Sequence, residues 1–379
     1  MTRTCTLLTL VVVTSACGAG GDDAASVPVA HVLSAGALEE LPTLTIEDGA
    51  LLCTADGYDD CPLQTAVANR LDADRIAIWE PGRTIQLWTA ADSLAVPLGH
   101  SGTAAGDYRT AVALRAKGRG FELVEAGEGS FALLTLDGEG RITGREAIPT
   151  IGPQSVLGFV GGTPVRQEYA DWNTLGGGSL RVIRLDSPLD STGTLLVSAA
   201  IPWMRGGSAD IPPLPPLIAA TPSWALTRDG GVVWSPGSPF IVEGRGPGGV
   251  VRWTLRGPDG PAVTGEDLDR REAELRAANL AFPLNDEDYA QMRSRSDSTF
   301  PEVGGVTTLP DGRVIVAGVN VPRDSAAVFY RLDTEGVPVA RFTLDRRARI
   351  LLAEGDSLLL HRPTEGEPWE LRWVRLREP

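Results

Sequence analysis

Four cysteines and three histidines carry most of the nucleophilic and metal-binding capacity of this 379-residue chain. Cys53 and Cys61 lie close in sequence, and in an oxidising compartment such a pair forms a disulfide around the turn at 54–60. A metal pair would need more Cys or His ligands nearby, and the sequence offers none. His31, His100 and His361 stand far apart without HxH or HxxxH spacing, so no metal site is expected. Ser357 and His361 would be a nucleophile and base for acyl transfer if they met. However, Glu354-Gly355-Asp356 before the serine reads as a hairpin turn, and no acid to orient the base is evident. Gly244, Gly246 and Gly249 have the spacing of a dinucleotide loop. The residues behind them, 250–255, read as a strand rather than the helix that a pyrophosphate requires. Asp56, Asp59 and Asp60 form one acidic cluster and Asp286, Glu287 and Asp288 another. Neither alternates as an EF-hand loop does, and both read as solvated loops. The expectation is therefore no catalytic set, no metal and no cofactor.

Cys17 is the exception, because its setting assigns it a modification. Arg3 gives residues 1–16 a positive start, and Leu7, Leu8, Leu10, Val11, Val12 and Val13 give them an apolar centre. That apolar run is shorter than the roughly 20 residues a membrane span needs. Thr14-Ser15-Ala16-Cys17 looks like the lipobox of bacterial lipoproteins, with Thr14 standing where that family prefers Leu. The resemblance implies cleavage before Cys17 and a lipid on its sulfur. Residues 18–26 are small and polar, as a tether should be, and the tether is expected over 17–40. In such lipoproteins Asp after the cysteine marks retention in the inner membrane. Here Gly18 implies the outer membrane or cell surface, provided that the host has two membranes.

The net charge of −15 excludes the electrostatic footprint of a nucleic-acid binder and a basic face against anionic lipid. Nearly all the cationic side chains are Arg; Lys117 is the one lysine.

The elements that must position any site are short strands. From residue 41 onward, apolar runs alternate with turns of Gly, Asp and Pro, and the 44 Gly and 28 Pro suit such a turn-rich chain. The clearest unit reads as four strands at 303–309, 313–319, 327–332 and 337–344. Pro310-Asp311-Gly312 and Asp333-Thr334-Glu335-Gly336 are its tight turns. Four antiparallel strands joined this way make one propeller blade. The unit recurs over 111–148, 156–201 and 224–255, and three strands of another lie within 75–98. The last unit has only three strands, at 350–353, 357–361 and 369–376. Leu44-Thr45-Ile46-Glu47 is a strand without a unit, and it is expected to complete that last blade and remove the open sheet edges. The predicted fold class is all-β, a six-bladed β-propeller over 41–379. The turns, with Leu98-Gly99-His100-Ser101-Gly102 before Tyr108-Arg109 and Phe300-Pro301-Glu302 before 309–316, resemble bacterial six-bladed propellers of the NHL/TolB-like kind. That resemblance implies a fold and brings no catalytic signature.

Residues 264–298 break the rhythm. Helical spacing over 270–280 and again over 286–295, with Thr264 or Asp267 as a cap, predicts a helical arm inserted between blades. The arm is either a lid packed on the rim or a wall of a ligand mouth.

These features point to a monomeric, membrane-anchored extracytoplasmic propeller that binds or scaffolds an envelope protein, peptide or glycan. Most tryptophans fall within strands, while Trp172 and Trp203 lie near loops and are the candidate platform for a peptide or glycan. One alternative is a small-ligand sensor whose helical arm closes over the mouth, and the other is a propeller enzyme, a lyase or glycoside hydrolase, whose carboxylates gather from several blades in the central channel. An acidic pair there would favour the enzyme.

Overall fold

The computed structural model describes residues 28–54, 61, 66–72, 74–89, 95–104, 106–127, 130–149, 155–170, 178–202, 214–277, 284–319, 321, 324–363 and 369–379. Three elements precede the blades: β1 (Val29–Val32), α1 (Ala35–Glu39) and β2 (Thr45–Thr54). Blade I is β3 (Val67–Arg70), β4 (Arg75–Trp79), β5 (Ile85–Thr89) and β6 (Val96–Leu98). Blade II is β7 (Thr110–Lys117), β8 (Gly120–Gly127), β9 (Ser130–Leu136) and β10 (Ile142–Ile148). Blade III is β11 (Ser155–Val160), β12 (Thr163–Ala170), β13 (Gly178–Arg184) and β14 (Thr194–Ile201). Blade IV is β15 (Ser223–Leu226), β16 (Val232–Ser235), β17 (Ile241–Arg245) and β18 (Val251–Arg256). Two helices follow, α2 (Gly265–Ala277) and α3 (Asp286–Ser294). Blade V is β19 (Gly305–Thr308), β20 (Val314–Ala317), β21 (Ala326–Leu332) and β22 (Pro338–Asp345). Blade VI is β23 (Arg349–Glu354), β24 (Ser357–Pro363) and β25 (Trp369–Arg377), with β2 as its outermost strand.

The six-bladed propeller and its closure by an N-terminal strand are as the sequence predicts. The closing strand is longer than Leu44–Glu47 alone suggests, because β2 pairs antiparallel with β25 from Thr45↔Arg377 to Thr54↔Glu370. First strands form an inner ring, with β23 against β3, β3 against β7, β7 against β11 and β15 against β19. The chain always passes between blades at one end of this ring, here called the arm face because α2 and α3 branch from it. Hairpins joining first to second and third to fourth strands lie at the opposite, far face.

Side chains alternate along a strand, so each sheet offers one apolar face to each neighbouring blade. Six apolar clusters result, one for each seam of the ring. Leu123 of β8, for instance, packs toward blade I, while its neighbour Val124 packs toward blade III. Tyr108 pins blades I and II: its hydroxyl accepts from the Ile85 amide at 2.8 Å and donates to the Leu98 carbonyl at 3.1 Å. Burial pushes that phenol up to about 12.

The tether expected over 17–40 needs correction, since its last part belongs to the fold. β1 adds to the edge of blade IV, running parallel to β18 from Val29↔Trp253 to Val32↔Arg256. Ser34 caps α1 by accepting from the Ala37 amide, and Leu38 is buried in the seam between blades IV and V. Residues 42–44 then run along β22, with Leu44 donating to the Arg341 carbonyl at 2.7 Å and Arg341 to that of Pro42 at 2.9 Å. The segment is therefore a strap over blades IV and V that ends in blade VI. An unpaired sheet edge and a leucine-sized gap in a seam supply the driving force.

Cys53 of β2 and Cys61 are disulfide-bonded, with their Cα atoms 5.9 Å apart, and both are buried in the seam between blades VI and I. By loop-closure entropy a ring of this size contributes about 2.5 kcal/mol.

Candidate functional site

The residues with chemical potential in the sequence do not converge. His31 lies on β1 with Nε2 3.1 Å from the Glu335 carbonyl oxygen. His100 is exposed after β6. His361 is buried on β24 with its ring 4.5 Å from that of Trp369. Ser357 opens the same strand after a turn with Gly355 at positive φ, so four residues, roughly 13 Å, separate it from His361. Gly244, Gly246 and Gly249 belong to the β17–β18 hairpin. Asp288 forms a capping box with Asn285 at the start of α3. Among the described residues, no three His, Cys, Asp or Glu side chains gather as a metal site would need. Residues 1–16, Cys17, Asp56, Asp59, Asp60, Trp172 and Trp203 lie outside the described residues.

The inner strands test the channel-enzyme alternative. Among the described residues of β3, β7, β11, β15, β19 and β23, Glu354 is the one carboxylate, and it pairs with Arg70 of the adjacent inner strand β3. An acid–base pair of carboxylates is therefore missing from these strands. Asn69 donates to the Leu114 carbonyl at 2.8 Å, so part of the inner ring's polar capacity is spent on binding blade I to blade II.

A cleft of about 560 Å³ lies on the arm side between blades V and VI. Antiparallel register makes it. Gly305 of β19 pairs with Ala317 of β20, which pairs with Phe329 of β21. Gly304, Gly305, Ala317, Gly318, Ala327 and Ala348 leave the seam underfilled. A Cβ built on Gly305 has only the Ala317 methyl within 4 Å, at 4.0 Å. Phe329, Ile315 and Ile350 form the apolar floor, and Arg346, Arg347, Arg349 and Trp369 border it.

The helical arm reaches this cleft. Its base is closed by the Ala262–Thr299 bridge and by the Val263 amide donating to the Ser298 carbonyl at 2.9 Å. Thr264 caps α2 through a reciprocal pair with Asp267. Leu268 and Leu275 of α2 and Tyr289 and Met292 of α3 pack on Leu214 and Leu217. Arg276 stacks 3.9 Å over the Tyr289 ring and pairs with Asp286 at 2.9 Å, fixing α2 to α3. Glu274 of α2 accepts from Arg346 at 3.0 Å and from Arg271 at 3.1 Å. The arm is thus latched to the cleft border, which joins the two readings of it, as rim cover and as wall.

Burial alone would raise the Glu274 carboxyl, but hydrogen bonds from Arg346 and Arg271 outweigh it and hold the group below the usual glutamate range. A depressed value means that the latch is at full strength above that range and is lost as pH falls through the folded-state value. Amide exchange across α2, corrected for intrinsic rate, should stay constant from about pH 8 to about pH 6 and rise below about pH 4. Glu274→Gln should show the raised exchange at neutral pH already. The same pH response in both chains would place the sensitivity elsewhere.

Sequence reasoning missed this cleft. The available signal was Arg346-Arg347-Ala348-Arg349 directly after a strand in a chain of net charge −15, with paired glycines opening another strand.

No known family matches this chain, and no curated protein matches it. Solved structures do. A DUF4221 family member from Bacteroides vulgatus gives a TM-score of 0.48 at 8% identity, covering 90% of this chain and 99% of that one. The PQQ-bound aldose sugar dehydrogenase of Streptomyces coelicolor gives 0.46 at 11% identity, covering 89% and 99%. A glucose-dehydrogenase-like oxidoreductase from Thermus thermophilus gives 0.39 at 16% identity, covering 88% and 99%. Likeness at this level carries no argument about activity or cofactor.

Proposed function

We propose that this chain is a lipid-anchored, extracytoplasmic binding module whose ligand site is the cleft between blades V and VI. The observation that carries the reading is the cleft itself: a 560 Å³ hollow with an apolar floor, charged borders and a helical wall, within the size range of small-molecule sites. The inner strands, with their single ion-paired carboxylate, lend the enzyme alternative no support. The strap supports an anchored orientation. Because β1 runs parallel to β18, its first residue, Val29, lies at the far-face end of blade IV. A lipid on Cys17 would then hold the far face toward an outer membrane or cell surface and leave the cleft facing away from it.

Two variants test the two halves of this reading. Cys17→Ser should release the protein from membranes, and a chain that stays membrane-bound and lipid-labelled would refute the anchor. Gly305→Val should narrow the cleft beside Ala317. Valine suits a strand better than glycine, so stability should hold or rise by about 0.5–1 kcal/mol. Mass spectrometry of small molecules released from the denatured full-length proteins should find one that is present with the parent chain and depleted with Gly305→Val. An identical small-molecule complement in both preparations would rule out the cleft as the binding site.

A further inference from the structure

We infer that the cleft takes a small organic anion: a carboxylate or phosphate on an apolar body of roughly six to ten carbons. The inference rests on the cleft being the binding site and adds the ligand's chemical class.

The charge at the border is the first ground. This chain is strongly acidic, with a net charge of −15, yet three guanidiniums within four residues border one hollow. Two of them are held in place by the protein's own carboxylates. Arg346 donates to Glu274 at 3.0 Å, and Arg347 reaches Asp345 at 3.4 Å. Arg349 is exposed, and among the described residues no side chain or carbonyl takes up its guanidinium. A guanidinium cannot shed its charge, and its planar fork matches carboxylate and phosphate oxygens two at a time. The protein thus supplies an uncommitted cation beside two others that its own carboxylates already hold.

The floor is the second ground. Phe329, Ile315 and Ile350 offer carbon surface, and Thr307 is the one hydroxyl among the lining residues. A polyol would leave most of its hydroxyl groups without partners in such a place, which disfavours it. An apolar body gains from each methylene it buries, about fourfold in affinity per group. The head is therefore fixed by charge and the body by the floor.

The third ground is shape. The small residues that open the cleft, Gly304, Gly305 and Ala317, lie on the inner and second strands of blade V, whereas the arginines lie at the junction with blade VI. A ligand lying across the seam would set its head at the junction and its body against blade V.

Calorimetry on the purified full-length chain would use hexanoate, hexyl phosphate and hexanol as probes, which share a carbon chain and differ in the head. At least one of the two anions should bind, with hexanol at least about tenfold weaker. The stronger anion tells a carboxylate ligand from a phosphate one. Arg349→Gln should weaken the anion about tenfold and leave hexanol unchanged, with an unaltered thermal midpoint as the folding control. Gly305→Val should weaken binding about tenfold by narrowing the cleft. Equal affinity for hexanol, no heat from either anion, or an Arg349→Gln chain that binds the anion as the parent does would overturn the ligand class while leaving the cleft as the site. Anion binding as tight in Gly305→Val as in the parent would instead overturn the cleft itself.

Discussion

Deleting residues 1–54 should leave a chain without a cooperative unfolding transition, whereas deleting residues 1–44 should leave a folded but weakened propeller. The difference lies in β2. That strand is the outermost of blade VI and comes from the opposite end of the chain, so it closes the last blade with the segment that leads into the first. Without it β25 becomes a bare edge, and Leu371, Val374 and Leu376, all nearly inaccessible in the closed ring, lose their cover. Leu52 and Cys53 leave the seam between blades VI and I at the same time, and the disulfide to Cys61 goes with them. A domain holds only about 5–15 kcal/mol in total, and opening two of its six seams exceeds what such a margin tolerates. The shorter deletion removes the strap but keeps β2. Its main losses are two core leucines, Leu38 with its flanking Leu33 and Leu41 between blades IV and V and Leu44 between blades V and VI, each about 2–5 kcal/mol. Urea titrations followed by circular dichroism, with both chains under reducing conditions, would separate the two cases. Dye binding to exposed apolar surface would report the opened ring. A sharp transition in the chain lacking residues 1–54 would mean that the blades hold together without closure.

The ring was legible because its signals are local. Asp333-Thr334-Glu335-Gly336 announces a hairpin by its own chemistry, and the alternation in 327–332 assigns a face to each side chain without reference to the rest of the chain. Leu44–Glu47 was legible for a different reason: a blade short of one strand creates a demand that only a distant strand can meet. The strap was not legible. Residues 28–40 mix apolar and polar side chains without a sustained strand or helix period, and Leu33, Leu38 and Leu41, which pack into the seam, have no regular spacing. Their burial depends on a gap between blades IV and V that exists only once both blades are built.

The cleft was hidden by the same kind of dependence. Its hollow arises from glycine and alanine at 304, 305, 317, 318, 327 and 348, positions that antiparallel register and one inter-blade junction bring together. None of them is unusual alone. A run of arginines in a loop ordinarily meets solvent, and only the adjoining void gives 346–349 another meaning. The link between Glu274 and Arg346 joins two elements 72 residues apart, which no spacing rule anticipates. Conversely, the motifs that were visible, Gly355-Asp356-Ser357-Leu358 and Gly244-x-Gly246-x-x-Gly249, are turn chemistry of the blades. A propeller repeats such turns so often that short glycine motifs arise in it without any ligand.

Gly336→Ala should cost about 2–5 kcal/mol, far more than Gly355→Ala, although both replace a glycine in a far-face hairpin turn. Both positions have positive φ, +80° for Gly336 and +56° for Gly355, so each alanine meets the left-handed penalty of about 1–2 kcal/mol. Their surroundings differ. Nothing lies within 4 Å of a Cβ placed on Gly355, while one placed on Gly336 would sit 2.3 Å from the Trp253 ring. That indole is wedged across the seam between blades IV and V, and on its other flank Gly244 approaches so closely that a Cβ there would lie 2.2 Å away. The ring cannot retreat from Gly336 without meeting the backbone of β17, so overpacking adds to the backbone cost. Urea midpoints of the two variants isolate the steric part, because the backbone penalty is common to both. A double-mutant cycle then assigns it: with Trp253→Ala in place, Gly336→Ala should cost no more than Gly355→Ala does. If Gly336→Ala stayed as costly without the indole, the left-handed turn alone would set the penalty, and Trp253 would not be the contact that fixes the distance between blades IV and V.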